Sequence, residues 1–192
     1  MVVAGEPQWV RRKAVPAAAR ARLDSGFFAL GQADGQVVID ESYPALPKGT
    51  TAAAGALVGE TVYVAGGDSG DGATKNFWAL DLAKRGAADF GWVTLPPWDG
   101  LARTHLLASV QHDGATDCLY IFSGRMKDGD GHWRMLGDAH KFNPKGGEWK
   151  KIHDILPSGD GQPRCVMAGT VAPIGANQLL VFGGANGKRF IT

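Results

Sequence analysis

Five side chains in this 192-residue sequence stand where chemistry is possible: Asp68, Arg103, His105, Arg125 and Arg164. Each lies at the entrance or exit of a short apolar run. A guanidinium can grip a carboxylate through two parallel N–H···O bonds, and an imidazole exchanges a proton near neutral pH. Arg103 and Arg164 hold comparable positions in successive runs. Two roles are open to both: projecting toward a shared channel to bind an anion, or anchoring loop carbonyls. His105 at a strand entrance suits a rim histidine as well as a ligand contact, and Asp68, which follows a glycine pair, also suits a turn cap.

Several motif-like stretches fail on inspection. Gly67-Asp68-Ser69-Gly70 is followed by Asp71, where a serine protease nucleophile segment has another glycine. Asp128-Gly129-Asp130-Gly131 has Trp133 and Ala139 where a calcium loop needs Gly and Glu, so it reads as a hairpin turn. The glycines from Gly66 to Gly72 lack the Gly-Lys-Ser/Thr ending of a phosphate loop, and the five histidines show no zinc spacing. Neither a metal nor a cofactor is expected.

Composition narrows the partners. A net charge of +1 gives no field suited to nucleic acid or an anionic membrane surface, and no run of 18 apolar residues is present. Arg11, Arg12, Lys13, Arg20 and Arg22 interrupt the first 26 residues, which therefore make a poor secretory signal. Cys118 and Cys165 both sit in apolar runs, where a buried free thiol is the usual fate and a disulfide the alternative.

The elements that position these residues follow from an internal repeat. Thr61-Val62-Tyr63-Val64-Ala65-Gly66-Gly67, Cys118-Leu119-Tyr120-Ile121-Phe122-Ser123-Gly124 and Gln178-Leu179-Leu180-Val181-Phe182-Gly183-Gly184 are apolar strands ending in a small pair, with final glycines 57 and 60 residues apart. Each follows a shorter strand: Thr51 to Val58, His105 to Gln111 and Cys165 to Pro173. A third strand comes at Phe77 to Asp81 and again at His140 to Pro144. A fourth carries Trp92 before Leu95-Pro96, or Trp149 before Leu156-Pro157, and the Leu-Pro ending recurs at Leu46-Pro47. The register resembles the kelch repeat, whose period of about 50 residues fits better than the 40 to 45 of the WD type.

The fold class implied is all-β, a partial kelch-type β-propeller with two complete four-stranded blades and a half-blade at each end. Residues 1–26 form an N-terminal segment of uncertain structure, and 27–47 the outer strands of a preceding blade. Residues 48–97 and 98–157 are full blades, and 158–192 the inner strands of a further one. A closed ring needs about 4 to 8 blades, so the chain is expected to be a piece of a longer propeller.

Within kelch proteins, Asp138-Ala139-His140-Lys141-Phe142-Asn143-Pro144 followed by Trp149-Lys150-Lys151-Ile152 resembles a blade of the bacterial N-acetylneuraminate epimerases, or mutarotases, including circularly permuted members. Gly55 to Val64 and Met167 to Gly184 resemble the flanking blades in the same order, so the resemblance runs from residue 45 to 190. It implies a six-bladed propeller that interconverts the α and β anomers of sialic acid by acid–base ring opening, outside the cytoplasm and often as a homodimer. The implied partner is a small acidic sugar whose carboxylate an arginine would hold. The family's Gly-Glu-x-x-Pro-Gly-x-Arg segment, with its proton-transfer glutamate, is absent from these residues, and Gly124-Arg125 has arginine in the comparable place. This stretch alone is therefore expected to be catalytically incomplete. Two other readings stand beside it: a non-catalytic kelch module that binds a protein or glycan, and a copper-dependent carbohydrate oxidase, for which Tyr43, Tyr63 and Tyr120 show no supporting arrangement.

Overall fold

A computed structural model of the chain describes residues 25–159, 161 and 164–186. The N-terminal segment set apart above lies outside the described residues, apart from Ser25 and Gly26. All the sheets are antiparallel. β1 (Ala29–Ala33) and β2 (Gln36–Asp40) form a hairpin whose turn residues, Asp34 and Gly35, both have positive φ. That is the pairing a two-residue turn needs to match strand twist, and Asp-Gly adopts it readily.

The first full blade is β3 (Ala54–Val58), β4 (Thr61–Ala65), β5 (Phe77–Asp81) and the short β6 (Val93–Thr94), hydrogen-bonded in that order. In the second, β7 (Leu107–His112) and β8 (Asp117–Phe122) pair with β11 (Ala139–Asn143) and β12 (Glu148–Lys151). A separate hairpin, β9 (Arg125–Lys127) with β10 (Trp133–Met135), is inserted between the second and third strands of that blade. β13 (Thr170–Ile174) and β14 (Gln178–Phe182) form the last pair. The molecule is a partial kelch-type β-propeller, and no helix among the described residues is long and apolar enough to cross a membrane.

Aromatic side chains hold adjacent sheets together. Phe77 of β5 meets Phe142 at 4.9 Å and Trp149 at 4.8 Å, both edge-to-face, in a cluster that also buries Tyr63, Leu119 and Ile121. Such ring pairs contribute about 0.5–1.5 kcal/mol beyond their buried area. Trp149 Nε1 donates to the Pro96 carbonyl at 3.1 Å, and Trp92 Nε1 donates to the Pro44 carbonyl at 2.9 Å. Phe27 packs edge-on against Trp92 at 5.3 Å. Trp149 thus ties its blade to the Leu95-Pro96 segment before it, and Trp92 ties its blade to Pro44, two residues before Leu46-Pro47. Cys118 and Cys165 are both buried free thiols.

The first strand of each unit starts later than the sequence suggests. Ala52, His105 and Ala168 have φ of 53°, 55° and 54°, in the left-handed region, so no extended strand can run through them. Extended structure begins at Ala54, Leu107 and Thr170 instead. These three residues form a ladder across the blades: His105 N donates to the Ala52 carbonyl at 2.8 Å, and Ala168 N to the His105 carbonyl at 3.3 Å. A second row runs beside it, with Gly67 N on the Arg103 carbonyl at 2.9 Å and Gly124 N on the Val166 carbonyl at 2.8 Å.

Gly124 pays for this close approach with its missing side chain. Its φ is +85°, and a Cβ there would stand 2.7 Å from the Thr104 carbonyl oxygen and 2.9 Å from the Leu106 backbone nitrogen. Gly147 has φ of +68° but open space around it. Gly124→Ala should lower the unfolding free energy by about 3 kcal/mol or more, combining backbone strain with overpacking, and Gly147→Ala by only about 1 kcal/mol. Urea titrations of the two variants check the difference.

Candidate functional site

At the end of the sheets where second strands leave and first strands enter, three loops surround a groove of about 520 Å³. The 68–73 turn of the first blade supplies Asp68 and Asp71, the entry loop of the second supplies Thr104, and the β9–β10 hairpin supplies Met126, Lys127 and Trp133. Backbone pairing locks these loops to one another. Thr104 and Arg125 exchange two N–H···O bonds, each 2.9 Å, and Thr51 and Asp68 exchange bonds of 2.9 and 2.8 Å.

Trp133 is half exposed, and two cations gather on it. The Arg125 guanidinium carbon lies 3.8 Å from the ring centroid and Lys127 Nζ 5.2 Å away. Among the described residues, neither cation pairs with a carboxylate. Arg125 Nε is also buried without a hydrogen-bond partner. One wall of the groove therefore offers positive charge and an aromatic face to an anion. The lining also includes Asp71 and Asp68, whose Oδ1 accepts from Gly70 N at 2.8 Å and Gly72 N at 3.2 Å, capping the turn.

His105 adjoins this groove. Its Nδ1 lies 2.8 Å from Thr104 Oγ1. Burial lowers the imidazole pKa below its ordinary value, the positive charge of Arg125 lowers it further, and Asp68 opposes the shift. Asp68, His105 and Arg125 thus come together at one end of the blades.

Arg103 takes the anchoring role of the two weighed for it. It is fully buried, with Nη2 on Asp138 Oδ2 at 2.5 Å, Nη1 on the carbonyls of Ser123 and Asp138, and Nε on the Leu101 carbonyl. His140 Nε2 shares the same Asp138 oxygen at 2.7 Å. Burial alone would raise the Asp138 pKa, but the hydrogen bonds and charges of His140 and Arg103 outweigh it and hold the carboxyl well below the usual carboxylate range.

Arg164 does not occupy the corresponding place. The bridges Thr104 to Arg125 and Met167 to Ala185 make Val166 the counterpart of Arg103. Both arginines stand seven residues after a proline, Pro96 or Pro157, but the last entry loop is two residues longer, so counting along the sequence misaligns them. Arg164 is exposed and borders an apolar cleft of about 600 Å³ between β8 and β14.

Sequence reasoning missed Thr104, Lys127, Asp71 and Trp133. A signal was present: Gly124 to Ala139 is five residues longer than the matching interval from Gly67 to Phe77, and the extra length is the β9–β10 hairpin. In that hairpin Asp128 Oδ1 accepts from Asp130 N at 3.1 Å and His132 N at 2.9 Å, as a turn cap does.

A family model described as N-acetylneuraminate epimerase matches residues 43–192. The chain belongs to the N-acetylneuraminate epimerase family. Epimerases of this name from Haemophilus influenzae (strain PittEE) and Escherichia coli (strain K12) are each 31% identical to it, over 146 and 147 residues. Those alignments cover 76% and 77% of this chain but 34% and 35% of the relatives, so the chain spans about a third of the length of these epimerases. A solved structure of YjhT overlays with a TM-score of 0.55 at 26% identity, covering 74% of this chain and 36% of that one.

Removing the Asp138 carboxylate would leave Arg103 buried and uncompensated. Asp138→Asn should destabilise the protein by about 3 kcal/mol at pH 7. The sign of its pH dependence follows from the depressed carboxyl pKa: the stabilisation is complete above the unfolded value of about 4 and is lost as pH falls toward the lower folded value. In denaturation curves of both proteins from pH 7 to pH 2.5, the stability gap should stay constant down to about pH 4 and then narrow, without closing, toward the acid end.

Proposed function

We propose that the intact protein interconverts the α and β anomers of N-acetylneuraminate or a closely related acidic sugar, and that this chain contributes part of its binding surface. The carrying observation is the pair of cations, Arg125 and Lys127, without a carboxylate partner among the described residues and gathered on the half-exposed Trp133 beside the 520 Å³ groove. Family membership supplies the reaction class. Arg125 would receive the sugar carboxylate, because a guanidinium offers paired donors in a fixed plane. Trp133 would cover an apolar C–H face of the ring, and the carboxylates of Asp68 and Asp71 would accept from ring hydroxyls.

Anomer exchange requires only proton movement. A base removes the anomeric hydroxyl proton, the ring C–O bond opens to a carbonyl and a hydroxyl, the carbonyl carbon turns, and the steps reverse to close the other anomer. The protein's task is then to hold the sugar and place a proton carrier.

NMR of freshly released α-N-acetylneuraminate tests the reading directly: the intact protein should bring the α-to-β ratio to equilibrium faster than buffer alone. No acceleration, with retained binding of a protein or glycan, would favour the non-catalytic kelch module instead. Arg125→Met should raise KM about tenfold or more while changing kcat little, since a charge-assisted hydrogen bond contributes about 1.5–3 kcal/mol to binding.

A further inference from the structure

The groove carries its own balance of charge. Asp68 and Asp71 line it with two carboxylates, Lys127 lines it with a cation, and Arg125 lies beside it on the Trp133 ring. An anionic sugar entering beside two carboxylates meets repulsion that only the cations can offset. Lys127 is held there by the register of the inserted hairpin. It stands directly across from Trp133 in the β9–β10 pair, and Arg125, two residues earlier on the same strand, shares that face. Lys127 Nζ lies 5.2 Å from the Trp133 ring centroid, and among the described residues no carboxylate takes it up. The first blade has no counterpart, since its chain passes from β4 to β5 without such a hairpin.

We infer that Lys127 is a specificity-determining residue, the cation that makes the groove prefer a carboxylate-bearing sugar to a neutral one. The inference rests on the reading above for the identity of the sugar. Arg125 and Lys127 divide the work because their side chains differ. A guanidinium offers paired donors in a fixed plane and so orients a carboxylate, whereas an ammonium is a compact charge on a flexible stem and attracts an anion with little directional demand.

With both cations present, the charges of Asp68, Asp71, Arg125 and Lys127 balance; without Lys127 they leave one net negative charge. A groove so changed would lose its preference for the acidic sugar and keep its fit to the ring. Lys127 is exposed, so salt should screen its attraction.

Binding titrations of the intact protein, followed by NMR, test this without requiring turnover. The ligands are N-acetylneuraminate and its methyl ester, in which the carboxylate charge is gone. Wild type should bind the acid more tightly than the ester. Lys127→Met keeps an apolar stem beside Trp133, and it should weaken binding of the acid about fivefold, a change that shrinks in high salt, while binding of the ester stays within about twofold. Lys127→Arg, which keeps the charge, should bind the acid nearly as wild type does. A Lys127→Met variant that binds the acid as wild type does, or that loses acid and ester alike, would overturn the inference. So would a loss in Lys127→Arg as large as that in Lys127→Met, or a wild type with no preference for the acid. A wild type that prefers the acid but equilibrates the anomers no faster than buffer defeats the anomer-exchange reading and leaves the selection by Lys127 standing.

Discussion

The backbone seam at the loop end of the blades governs the rest of the structure. Ala52, His105 and Ala168 are left-handed, and the N–H of His105 and of Ala168 meets the carbonyl of the corresponding residue in the blade before it. Beside them, Gly67 and Gly124 donate to the entry residues of the blade that follows. These bonds satisfy buried backbone groups that would otherwise be costly. They also bring chains so close that Gly124 has no room for a Cβ. The loops that line the groove are therefore held by strand ends in register, as a site that must hold its ligand in one geometry requires.

The seam also decides the fates of two arginines that look alike in sequence. Arg103 enters just before the left-handed turn and is drawn inward, where Asp138 and three backbone carbonyls receive its guanidinium. Burying such a charge is tolerable only because the pairing is complete. Arg125 leaves just after the glycine, on the inserted hairpin, and meets Trp133 rather than a carboxylate. One arginine fastens the entry loop to β11, and the other remains available to an anion.

Family membership and site chemistry carry different weight. The family is shown by the match over residues 43–192, and the fold by the blades and the overlay with YjhT. Kelch propellers host unrelated functions on the same scaffold, so the proposed anomer exchange would depend on the groove. It would rest most on positive charge that has no carboxylate partner among the described residues, beside an exposed aromatic ring.

Strand periodicity, the small pairs after each second strand and the recurring tryptophans were legible in the sequence, because each reflects a local rule: alternation, turn chemistry or a large ring filling the gap between sheets. Asp68, His105 and Arg125 were legible as candidates because they flank those strands. The left-handed turns were not, since Ala52, His105 and Ala168 are not residues that announce positive φ; inter-blade hydrogen bonds impose it. Nor could the sequence separate Arg103 from Arg125 or align Arg164, because burial, loop length and the nearest carboxylate are set by chains far apart in sequence. Local patterning alone determined that this protein is built of kelch blades. Only tertiary structure decided which charges face the groove, since that depends on what each side chain meets across the seam.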